Sequence, residues 1–555
     1  MKKNEQLIAV GIGVVVVIVG AVLYYQYRQK EQPKSPFAPD SSIYSTQDYT
    51  NLVLDSTLLV SFYQTHLVSD SIQKDVSAFY QRRGYQYAWF SENKLTNAAL
   101  NFNQQRESHI SDFADSSLYN AQIDTLLLNA QVNTAKFLAN KKNLQTLELL
   151  LTTTFFKYTD KAFTGAVKDP IDLDWFIPRK KKSYQALLDT LVSAKGQPIR
   201  EPVNRYYTLL KEKLRQYRAI EKQGGWGSID IPKKTIKKGD SDSLLFSAKK
   251  TLVLLGDLEE MDTTDVFTDA LGVAVKRFQH RMGLPETGKM DANTAQELNQ
   301  PISARIKQIM INMERLRWVP AEMEQDMLLI NIPEFKLHVF EQGKQAWQCN
   351  VVVGKEATKT SIFKGNLSNV VLNPYWVVTS NIVNNEILPR LKRSPGYLAR
   401  NNMEVVSGNT VLNPYTINWK SYNKNVPYTI RQKPGKNNSL GKVKFLFPNS
   451  YSIYLHDTPS KSLFGESSRA FSHGCIRVSE PEKLALHVLK NDPIWSAEKL
   501  EDIWKSGKEK WINVRPPLPV YIAYFTAWVD NTGQLNFRKD LYGLDKMLEK
   551  EIFGE

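Results

Sequence analysis

The sequence predicts a multidomain α+β protein, with a helical first half and a mostly β second half behind an apolar amino-terminal segment. The chain has 555 residues, of which 42% are hydrophobic and 23% are charged. At roughly 100–200 residues per domain, this length predicts three or four compact units. Apolar residues recur at helical spacing up to about residue 217, whereas short β-branched segments prevail after residue 327. The composition excludes a disordered tail and a disulfide-stapled miniprotein.

The amino terminus predicts a membrane anchor. Residues 7–25 are an uncharged apolar segment of 19 residues, which at about 1.5 Å per residue spans nearly the whole hydrocarbon core of a bilayer. The segment is longer than the apolar region of a usual signal peptide, although a cleaved signal peptide is the alternative. We therefore expect a cytoplasmic tail at 1–6, a single transmembrane anchor at 7–25 and a tether at 26–46, with the rest of the chain exported.

The charge balance narrows the class of partner. The sequence has 72 Lys and Arg against 57 Asp and Glu, and this formal net charge of +15 favours a negatively charged neighbour. Export argues against nucleic acid, and the basic runs at 179–182 and 233–238 lack the interleaved aromatic residues of a strand-binding groove. An anionic membrane surface or a carboxylate-rich polymer is left as the expected neighbour.

Helical periodicity defines the units of the first half. Windows at 144–155, 184–191 and 203–217 carry apolar residues at helical spacing and predict a helical scaffold domain over residues 47–235. A compact three-helix unit is expected over residues 236–300, followed by a connecting helix at 301–322. The helices of the compact unit are predicted at 243–255, 267–282 and 291–298.

After residue 323 the apolar pattern changes to that of β-strands, which predicts a mostly β domain over residues 323–515. Residues 379–428 are rich in proline and asparagine and are expected to form a capping insertion, with one helix at 381–388 that Pro389 stops. Residues 516–555 are expected to form a final strand and a tail that packs on the preceding domains. The strands are predicted at 327–332, 336–341, 347–353 and 370–372.

Cys475 and His456 are the candidates for chemistry in the β domain. Period-two alternation places Tyr454 with His456 on one strand face and Cys475 with Arg477 on one face of a second strand, so a thiol and an imidazole could meet in one cleft. A thiol with a pKa near ~8.5 is mostly protonated at neutral pH, and a neighbouring imidazole makes it a nucleophile. Gly474 lets the backbone approach a substrate, and the amides around it could donate to a developing oxyanion.

The residues alone leave alternatives open. Cys475 could be a buried apolar residue or could form a disulfide with Cys349, which is otherwise expected to be a buried strand residue. His473 lies two residues before Cys475, so it competes with His456 for the role of base. Downstream, Ser-Glu-Pro-Glu at 479–482 predicts a capping box and the start of a helix.

Two signatures resemble known families. Ser-His-Gly-Cys-Ile-Arg-Val at 472–478, with Leu-His-Asp-Thr at 455–458, resembles the catalytic domain of the L,D-transpeptidase (YkuD) family. Ala-Val-Lys-Arg-Phe-Gln at 274–279 and Gly-Leu-Pro-Glu-Thr-Gly at 283–288 resemble the peptidoglycan-binding domain type 1, a three-helix module that either binds glycan or stem peptide or is merely architectural. Segments that resemble more closely the large YcbB-type branch of the L,D-transpeptidases lie at 373–376, 395–398 and 431–441.

The resemblance implies a role for each matching residue. Cys475 would be the nucleophile and His456 the proton acceptor and donor, while the amides of His473, Gly474 and Cys475 would form the oxyanion hole. Arg477 would support the loop or a substrate carboxylate, and no metal or organic cofactor is required. The candidates for substrate contact are Tyr454, Trp376, Asn438, Gln432 and Ser472.

The resemblance also implies an activity. Enzymes of this family attack the diaminopimelate carbonyl of a tetrapeptide stem, expel the terminal D-alanine and pass the thioester to another diaminopimelate amine, which gives a 3→3 peptidoglycan crosslink. Water or a protein lysine as acceptor would instead give an L,D-carboxypeptidase or lipoprotein attachment, and a non-catalytic wall-binding anchor is the third alternative. The expected partners are peptidoglycan stem peptides and the inner membrane, with the catalytic part in the periplasm and carbapenems as covalent inhibitors.

Overall fold

The computed structural model describes residues 50–91, 94–178, 183–193 and 201–554. The predicted cytoplasmic tail, membrane anchor and tether lie outside the described residues. Within the four described ranges, no helix is both long and apolar enough to cross a bilayer. The described chain is a multidomain α+β structure with a helical region, a three-helix module and a β domain, in agreement with the predicted fold class.

The helical region is organised around one long buried helix, Lys141–Thr159. From Leu144 onward nearly all its side chains are buried, since other helices pack around it. The Glu148 carboxylate accepts hydrogen bonds from the amides of Ala88 at 2.6 Å and Trp89 at 3.1 Å, which offset part of the cost of its burial. The remaining helices of this region are Leu58–Thr65, Asp70–Arg82, Asn97–Phe113, Ala121–Val132, Thr134–Ala139, Tyr184–Ser193 and Arg205–Lys222.

The three-helix module consists of Leu244–Leu254, Asp269–Met282 and Ala292–Leu298. The side chains of Thr268 and Asp291 accept backbone N–H groups of the second and third helices and fix where each begins. All three helices lie within the segments that helical periodicity predicts.

A buried arginine fixes this module to the carboxyl-terminal part of the chain. Arg281 donates to the Asp257 carboxylate at 2.8 Å and to the carbonyl oxygen of Leu535 at 2.7 Å. The connecting helix Ile302–Trp318 makes a second link, because Arg315 on it pairs with Asp545 at 2.6 Å. Removing one partner of such a buried pair would leave the other charge uncompensated.

The strands are numbered β1 to β18 in chain order, and those of the main sheet follow a path that closes on itself. Along the path the order is β12-β13-β15-β6-β5-β4-β16-β7, and β12 pairs again with β7. Two further strands, β14 and β3, pair with β6 and β7. The strands are β1 (Phe90–Ser91), β2 (Lys94–Leu95), β3 (Trp175–Phe176), β4 (Met327–Asn331), β5 (Lys336–Glu341), β6 (Lys344–Gly354), β7 (Ile362–Leu372), β8 (Trp376–Val377), β9 (Met403–Ser407), β10 (Thr410–Leu412), β11 (Thr429–Gln432), β12 (Val443–Leu446), β13 (Leu455–His456), β14 (Ala470–Ser472), β15 (Ile476–Val478), β16 (Lys510–Ala523), β17 (Ala527–Val529) and β18 (Leu535–Phe537).

Strand β16 runs through residue 515, where the sequence predicts the end of the β domain. It pairs parallel with β4 and antiparallel with β7, so residues 516–523 belong to the main sheet. The pairing with β7 shifts register between Asn513 and Leu518. Pro516 and Pro517 lie in that interval and have no backbone N–H to donate to a neighbouring strand. The hairpin β17–β18 and the helix Leu544–Phe553 are the last elements of the described residues.

The capping insertion is a small unit with its own core. Its strands form a separate sheet in the order β10-β9-β11-β8, and its buried residues, among them Leu388, Leu398 and Ile430, form a cluster apart from the main core. The helix predicted to stop at Pro389 instead continues as Leu388–Arg393. That prediction is wrong because the turn before it, Val383–Ile387, is a wider π-helical turn, which accommodates a residue without an N–H.

Candidate active site

Two adjacent parallel strands bring the candidate catalytic residues together. Strands β13 and β15 pair with Leu455 opposite Ile476 and His456 opposite Arg477. Leu455 and Ile476 are fully buried in the core. Alternation along each strand therefore turns His456 and Arg477 to the other face. Cys475, just before β15, joins them there because it hydrogen-bonds Tyr454, whose ring contacts that of His456. The thiol, the imidazole and the guanidinium share one face of the sheet.

The His456 imidazole is a neutral hydrogen-bond acceptor. Its Nδ1 lies 2.5 Å from the backbone carbonyl oxygen of Asp457. A carbonyl oxygen only accepts hydrogen bonds, so Nδ1 carries the ring proton and Nε2 has the lone pair. Burial, with a further contribution from the charge of Arg477, lowers the pKa of His456 to about 3. The ring is therefore uncharged at neutral pH.

The Cys475 thiol is partly exposed and is protonated in the resting site. Its Sγ lies 3.6 Å from the carbonyl oxygen of Ser452, to which the thiol donates. Burial raises the pKa of Cys475, whereas hydrogen bonds from Tyr454 and the charges of Lys444 and Arg477 act in the opposite direction. The resting site thus combines a neutral thiol with a neutral imidazole.

Two threonines fix the backbone just before the thiol. Thr358 donates to the carbonyl oxygen of Ser472 at 3.0 Å, and Thr360 donates to that of Gly474 at 2.8 Å. Thr360 is 2% exposed and also accepts a hydrogen bond from the Gly354 amide at 2.9 Å. The turn at residues 472–475 is called the nucleophile loop. These two hydrogen bonds hold its Ser472 and Gly474 carbonyl groups toward the segment that follows β6.

The amide groups of His473 and Cys475 point the other way. In a trans peptide the N–H is directed opposite to the C=O, and each of these amides shares its peptide plane with one of the two anchored carbonyls. Both donors are therefore directed away from the threonines and are the candidates for holding a developing oxyanion. The third expected donor, the Gly474 amide, instead donates to Ser472 Oγ at 3.1 Å. Gly474 has a φ of +116°, which favours glycine at this reversal.

His473 lies outside the row of residues that faces the cleft. Strand β14 ends at Ser472 and β15 begins at Ile476, so strand alternation does not extend to His473. Its imidazole is nearly half exposed, and Nε2 lies 3.1 Å from Oε1 of Glu386 in the capping unit. This placement gives His473 a contact between the loop and the cap rather than a contact with the thiol.

The predicted substrate contacts divide into two groups. Tyr454 lies in the cleft, with its ring centre 5.6 Å from that of His456, and Trp376 is partly exposed in β8 of the capping unit. Ser472, in contrast, is 2% exposed and donates to the carbonyl oxygen of Cys475 at 2.6 Å. Ser472 therefore supports the nucleophile loop from inside, which differs from its expected role in substrate contact.

Gln432 and Asn438 are also buried structural side chains. The Gln432 amide donates to the carbonyl oxygens of Asn401 and Asn437 at 3.0 and 3.1 Å. Asn438 is 1% exposed and donates to the carbonyl oxygen of Lys433 at 2.9 Å. Their donors are occupied within the protein, so the expectation of substrate contact does not fit their geometry. They shape the chain where the capping unit rejoins the sheet.

The sequence predictions for Cys349 and for residues 479–482, which follow β15, can be compared with the structure. Both cysteines are free thiols, and Cys349 is buried as expected, with a pKa that burial raises to about 11. The predicted helix start is confirmed, since a helix runs over Pro481–Leu489 with proline in its first turn. The predicted capping box is wrong, because the residue before this helix is Glu480, whose side chain makes no capping hydrogen bond. Ser479 instead extends the sheet, because its amide donates to the Asn350 carbonyl oxygen at 3.0 Å.

Sequence reasoning missed four residues around the site: Lys444, Thr358, Thr360 and Tyr542. The hydroxyl of Tyr542, near the carboxyl terminus, donates to the Gly354 carbonyl oxygen at 2.6 Å and accepts from the Thr360 amide at 3.3 Å. Only Lys444 has a local sequence signal, because it lies between Val443 and Phe445, two apolar residues that are buried in the core. The two threonines and the tyrosine are recognisable only once distant segments are brought together.

The arrangement suits acyl transfer. A thiol on the same sheet face as an imidazole acceptor, with two candidate amide donors, has the groups needed to attack a carbonyl and to hold the resulting oxyanion. Within the described ranges, no cluster of three His, Cys, Asp or Glu side chains could hold a metal ion. By its geometry this is a candidate site of the cysteine acyltransferase class.

Comparisons with known families agree with that class. Residues 325–495 match the YkuD family, described as "L,D-transpeptidase catalytic domain". Residues 244–298 match a family described as "Putative peptidoglycan binding domain", and residues 74–214 match one described as "Scaffold domain". The chain therefore contains an L,D-transpeptidase catalytic domain of the YkuD family together with a peptidoglycan-binding domain.

Individual relatives match over part of their length. A curated protein from Haemophilus influenzae named "Putative L,D-transpeptidase" is 34% identical over 243 residues, which are 44% of this chain and 49% of that protein. The chain thus spans about half the length of the curated relative that it matches. Among solved structures, an L,D-transpeptidase from Stackebrandtia nassauensis is 12% identical with a TM-score of 0.22, over 53% of this chain and 96% of that one. L,D-transpeptidase 1 from Mycobacterium tuberculosis is 11% identical with a TM-score of 0.16, over 36% and 61%.

Proposed function

We propose that the protein is a membrane-anchored L,D-transpeptidase that forms 3→3 peptidoglycan crosslinks through a thioester on Cys475. The observation that carries this proposal is the shared sheet face, which holds a partly exposed thiol and a neutral imidazole whose Nδ1 is bound to a backbone carbonyl, so that its lone pair is on Nε2. The match of residues 325–495 to the L,D-transpeptidase catalytic domain supports the choice of reaction. The match of residues 244–298 supports peptidoglycan as the substrate.

In the first step the thiol proton moves to Nε2 of His456 while Sγ attacks the carbonyl carbon of the third stem residue. The carbonyl oxygen becomes an oxyanion, which the amides of His473 and Cys475 stabilise. Collapse of this intermediate breaks the amide bond to the terminal D-alanine. His456 returns the proton to the departing amine, and a thioester remains on the protein.

In the second step the side-chain amine of a diaminopimelate on another stem attacks the thioester carbonyl. His456 takes the proton from the attacking nitrogen, and the same two amides hold the oxyanion. Collapse forms the new amide bond and expels the Cys475 sulfur, which recovers the proton from His456. Water or a protein lysine as acceptor would follow the same steps and give an L,D-carboxypeptidase or lipoprotein attachment.

The decisive experiment incubates the full-length protein with sacculi and analyses the muropeptides by mass spectrometry. The proposal expects diaminopimelate-to-diaminopimelate dimers with the wild-type protein and their loss with Cys475→Ala. Shortened stems without dimers would identify water as the acceptor. Identical profiles for the two proteins would reject catalysis and leave a non-catalytic wall-binding anchor.

Two variants separate the candidate bases. We expect His456→Ala to lose dimer formation and His473→Ala to retain it, because His473 is turned toward Glu386 of the capping unit. The opposite result would assign the proton transfer to His473. We also expect carbapenems to acylate Cys475, which intact-protein mass spectrometry detects as a mass increment that is absent from Cys475→Ala.

The position of the protein in the cell is part of the proposal. The uncharged segment 7–25 would anchor the protein in the inner membrane, with the folded part in the periplasm. Fractionation tests this: the full-length protein should remain in membranes after a high-salt wash. Release by salt alone would contradict an apolar anchor.

A further inference from the structure

Lys444 has an ammonium group on the same sheet face as the candidate catalytic residues. In β12 it pairs in register with His456 of β13 on one side and with Val371 of β7 on the other. Its Nζ lies 4.0 Å from the centre of the Tyr454 ring, whose hydroxyl hydrogen-bonds Cys475. The side chain therefore extends along the floor of the cleft to the neighbourhood of the thiol.

This ammonium has no carboxylate partner in the part of the chain that the structure describes. Neighbouring lysines do have one: Lys442 pairs with Glu482 at 2.6 Å, and Lys461 pairs with Asp457 at 2.5 Å. Burial lowers the pKa of Lys444, because the charged ammonium has lost part of its hydration. Desolvated charges in proteins are normally paired. The charge of Glu509 acts on Lys444 without forming an ion pair with it, and the face of the Tyr454 ring is its close contact.

Arg477 is a second cation of the same kind on the other side of His456. It pairs in register with His456 and with Val352 of β6. Its Nε is buried without a hydrogen-bond partner among the described residues. One row across the sheet therefore places the imidazole between two cations, with a buried valine at each end. An anion bound over this row would satisfy both charges.

We infer that Lys444, together with Arg477, forms a carboxylate-binding site beside Cys475. Its ligand class is the free carboxylate of a peptide that ends in an amino acid just beyond the attacked carbonyl. Under the proposed function, on which this choice of ligand rests, the group is the terminal carboxylate of the departing D-alanine. That carboxylate lies one residue, about 3.6 Å of extended chain, beyond the attacked carbonyl, so a cation next to the thiol is within its reach. A long lysine side chain supplies such a charge without crowding the nucleophile.

The test compares two alkylating agents that differ in charge. The full-length protein is treated with iodoacetate, which is anionic, or with iodoacetamide, which is neutral, and mass spectrometry follows alkylation of the Cys475 peptide. The same thiolate attacks both reagents, so the pKa of the thiol cancels in the ratio of the two second-order rate constants. The ratio reports how strongly the site attracts a carboxylate.

Lys444→Met removes the charge and keeps an apolar stem against Tyr454. We expect it to lower the iodoacetate-to-iodoacetamide ratio about fivefold to tenfold, as loss of one nearby partly desolvated charge should. Lys444→Arg should retain the wild-type ratio. Lys442→Met is the matched control, since it makes the same change in net charge at a lysine already paired with Glu482, and its ratio should stay within twofold of wild type.

An unchanged ratio in Lys444→Met overturns the inference. So does an equal fall in both rate constants, because Lys444 would then only tune the thiol. If Lys444→Met does not fold by circular dichroism, Lys444→Gln replaces it with the same interpretation. These outcomes do not depend on the reaction that the protein catalyses.

A substrate comparison then tests the ligand. With a tetrapeptide stem, Lys444→Met should raise KM about tenfold, whereas a stem whose terminal carboxylate is an amide should be used equally by wild type and variant. Equal effects on both substrates reject the terminal carboxylate as ligand. Failure of the wild-type protein to use either stem rejects the proposed function, while the alkylation ratio still decides whether the anion site exists.

Discussion

Removing the hydroxyl of Thr360 should disable the oxyanion site while leaving the thiol in place. Thr360→Val keeps the shape of the side chain but deletes the donor to the Gly474 carbonyl oxygen, at 2.8 Å, and the acceptor of the Gly354 amide, at 2.9 Å. The Gly474–Cys475 peptide then loses the anchor that directs the Cys475 amide toward the cleft. Leaving two buried backbone groups unpaired should also cost about 1–3 kcal/mol each in the free energy of unfolding.

The effect on chemistry follows from what one donor contributes. Deleting an oxyanion-hole donor outright in another hydrolase costs about 10²–10³-fold in kcat, and a misdirected donor should cost less. We expect Thr360→Val to slow acylation of Cys475 by a carbapenem about 10–100-fold. The assay is the second-order rate constant of the mass increment on the intact protein.

A parallel reaction separates this effect from a general disturbance of the thiol. Iodoacetamide alkylates sulfur by displacement without a tetrahedral oxyanion, so its rate with Thr360→Val should stay within about twofold of wild type. Thr360→Ser keeps the hydroxyl and should restore most of the acylation rate. A folded Thr360→Val that is acylated at the wild-type rate would refute the orientation argument, and equal losses in both reactions would show that only the thiol had moved.

Three further predictions concern the supports of the site and of the fold. Tyr542→Phe deletes the hydroxyl that bonds the Gly354 carbonyl and the Thr360 amide, and it should slow carbapenem acylation by about threefold to tenfold. An unchanged rate would mean that Thr360 is held equally well without this hydroxyl. Arg281→Met leaves the Asp257 carboxylate buried without its partner and should lower the free energy of unfolding by about 3–5 kcal/mol in urea titrations; a loss below about 1 kcal/mol would mean that the ion pair does not hold the module. Burial raises the pKa of Glu148 to about 7, above its unfolded value of about 4.5, so the stability that this group contributes at low pH should be lost as pH rises through 7. Glu148→Gln should remove that pH dependence, and an unchanged profile would contradict the assigned titration.

The helical half of the fold was accessible from sequence because helices are local. The windows at 144–155 and 203–217 each lie in or largely overlap an observed helix, Lys141–Thr159 and Arg205–Lys222. The failed prediction at Pro389 has a local cause as well, since a π-helical turn leaves no mark in the apolar spacing. Local signals therefore predict where helices lie better than they predict where helices end.

The site was predictable only in part because its geometry is set by pairing between distant strands. Alternation correctly placed Arg477 on the face opposite Ile476, in register with His456. The prediction that His473 shares the face of Cys475 required a regular strand through both residues. The structure instead has a turn at Gly474 between β14 and β15. Nothing within the motif identifies Thr360, which lies more than a hundred residues earlier in the chain.

The two cations that flank His456 affect when the Cys475 thiol is reactive. While the cleft is empty, both charges oppose protonation of the imidazole, and the thiol donates its proton to a backbone carbonyl. A weak base and a protonated sulfur make a poor target for oxidants and stray electrophiles, since these react with thiolate. An anionic ligand over the row would cancel part of this charge, which raises the pKa of the Cys475 thiol and also that of His456, the residue between the two cations. The sulfur then keeps its proton until the strengthened base takes it. In such a site, reactivity is coupled to occupancy, and the nucleophile is protected during the intervals between substrates.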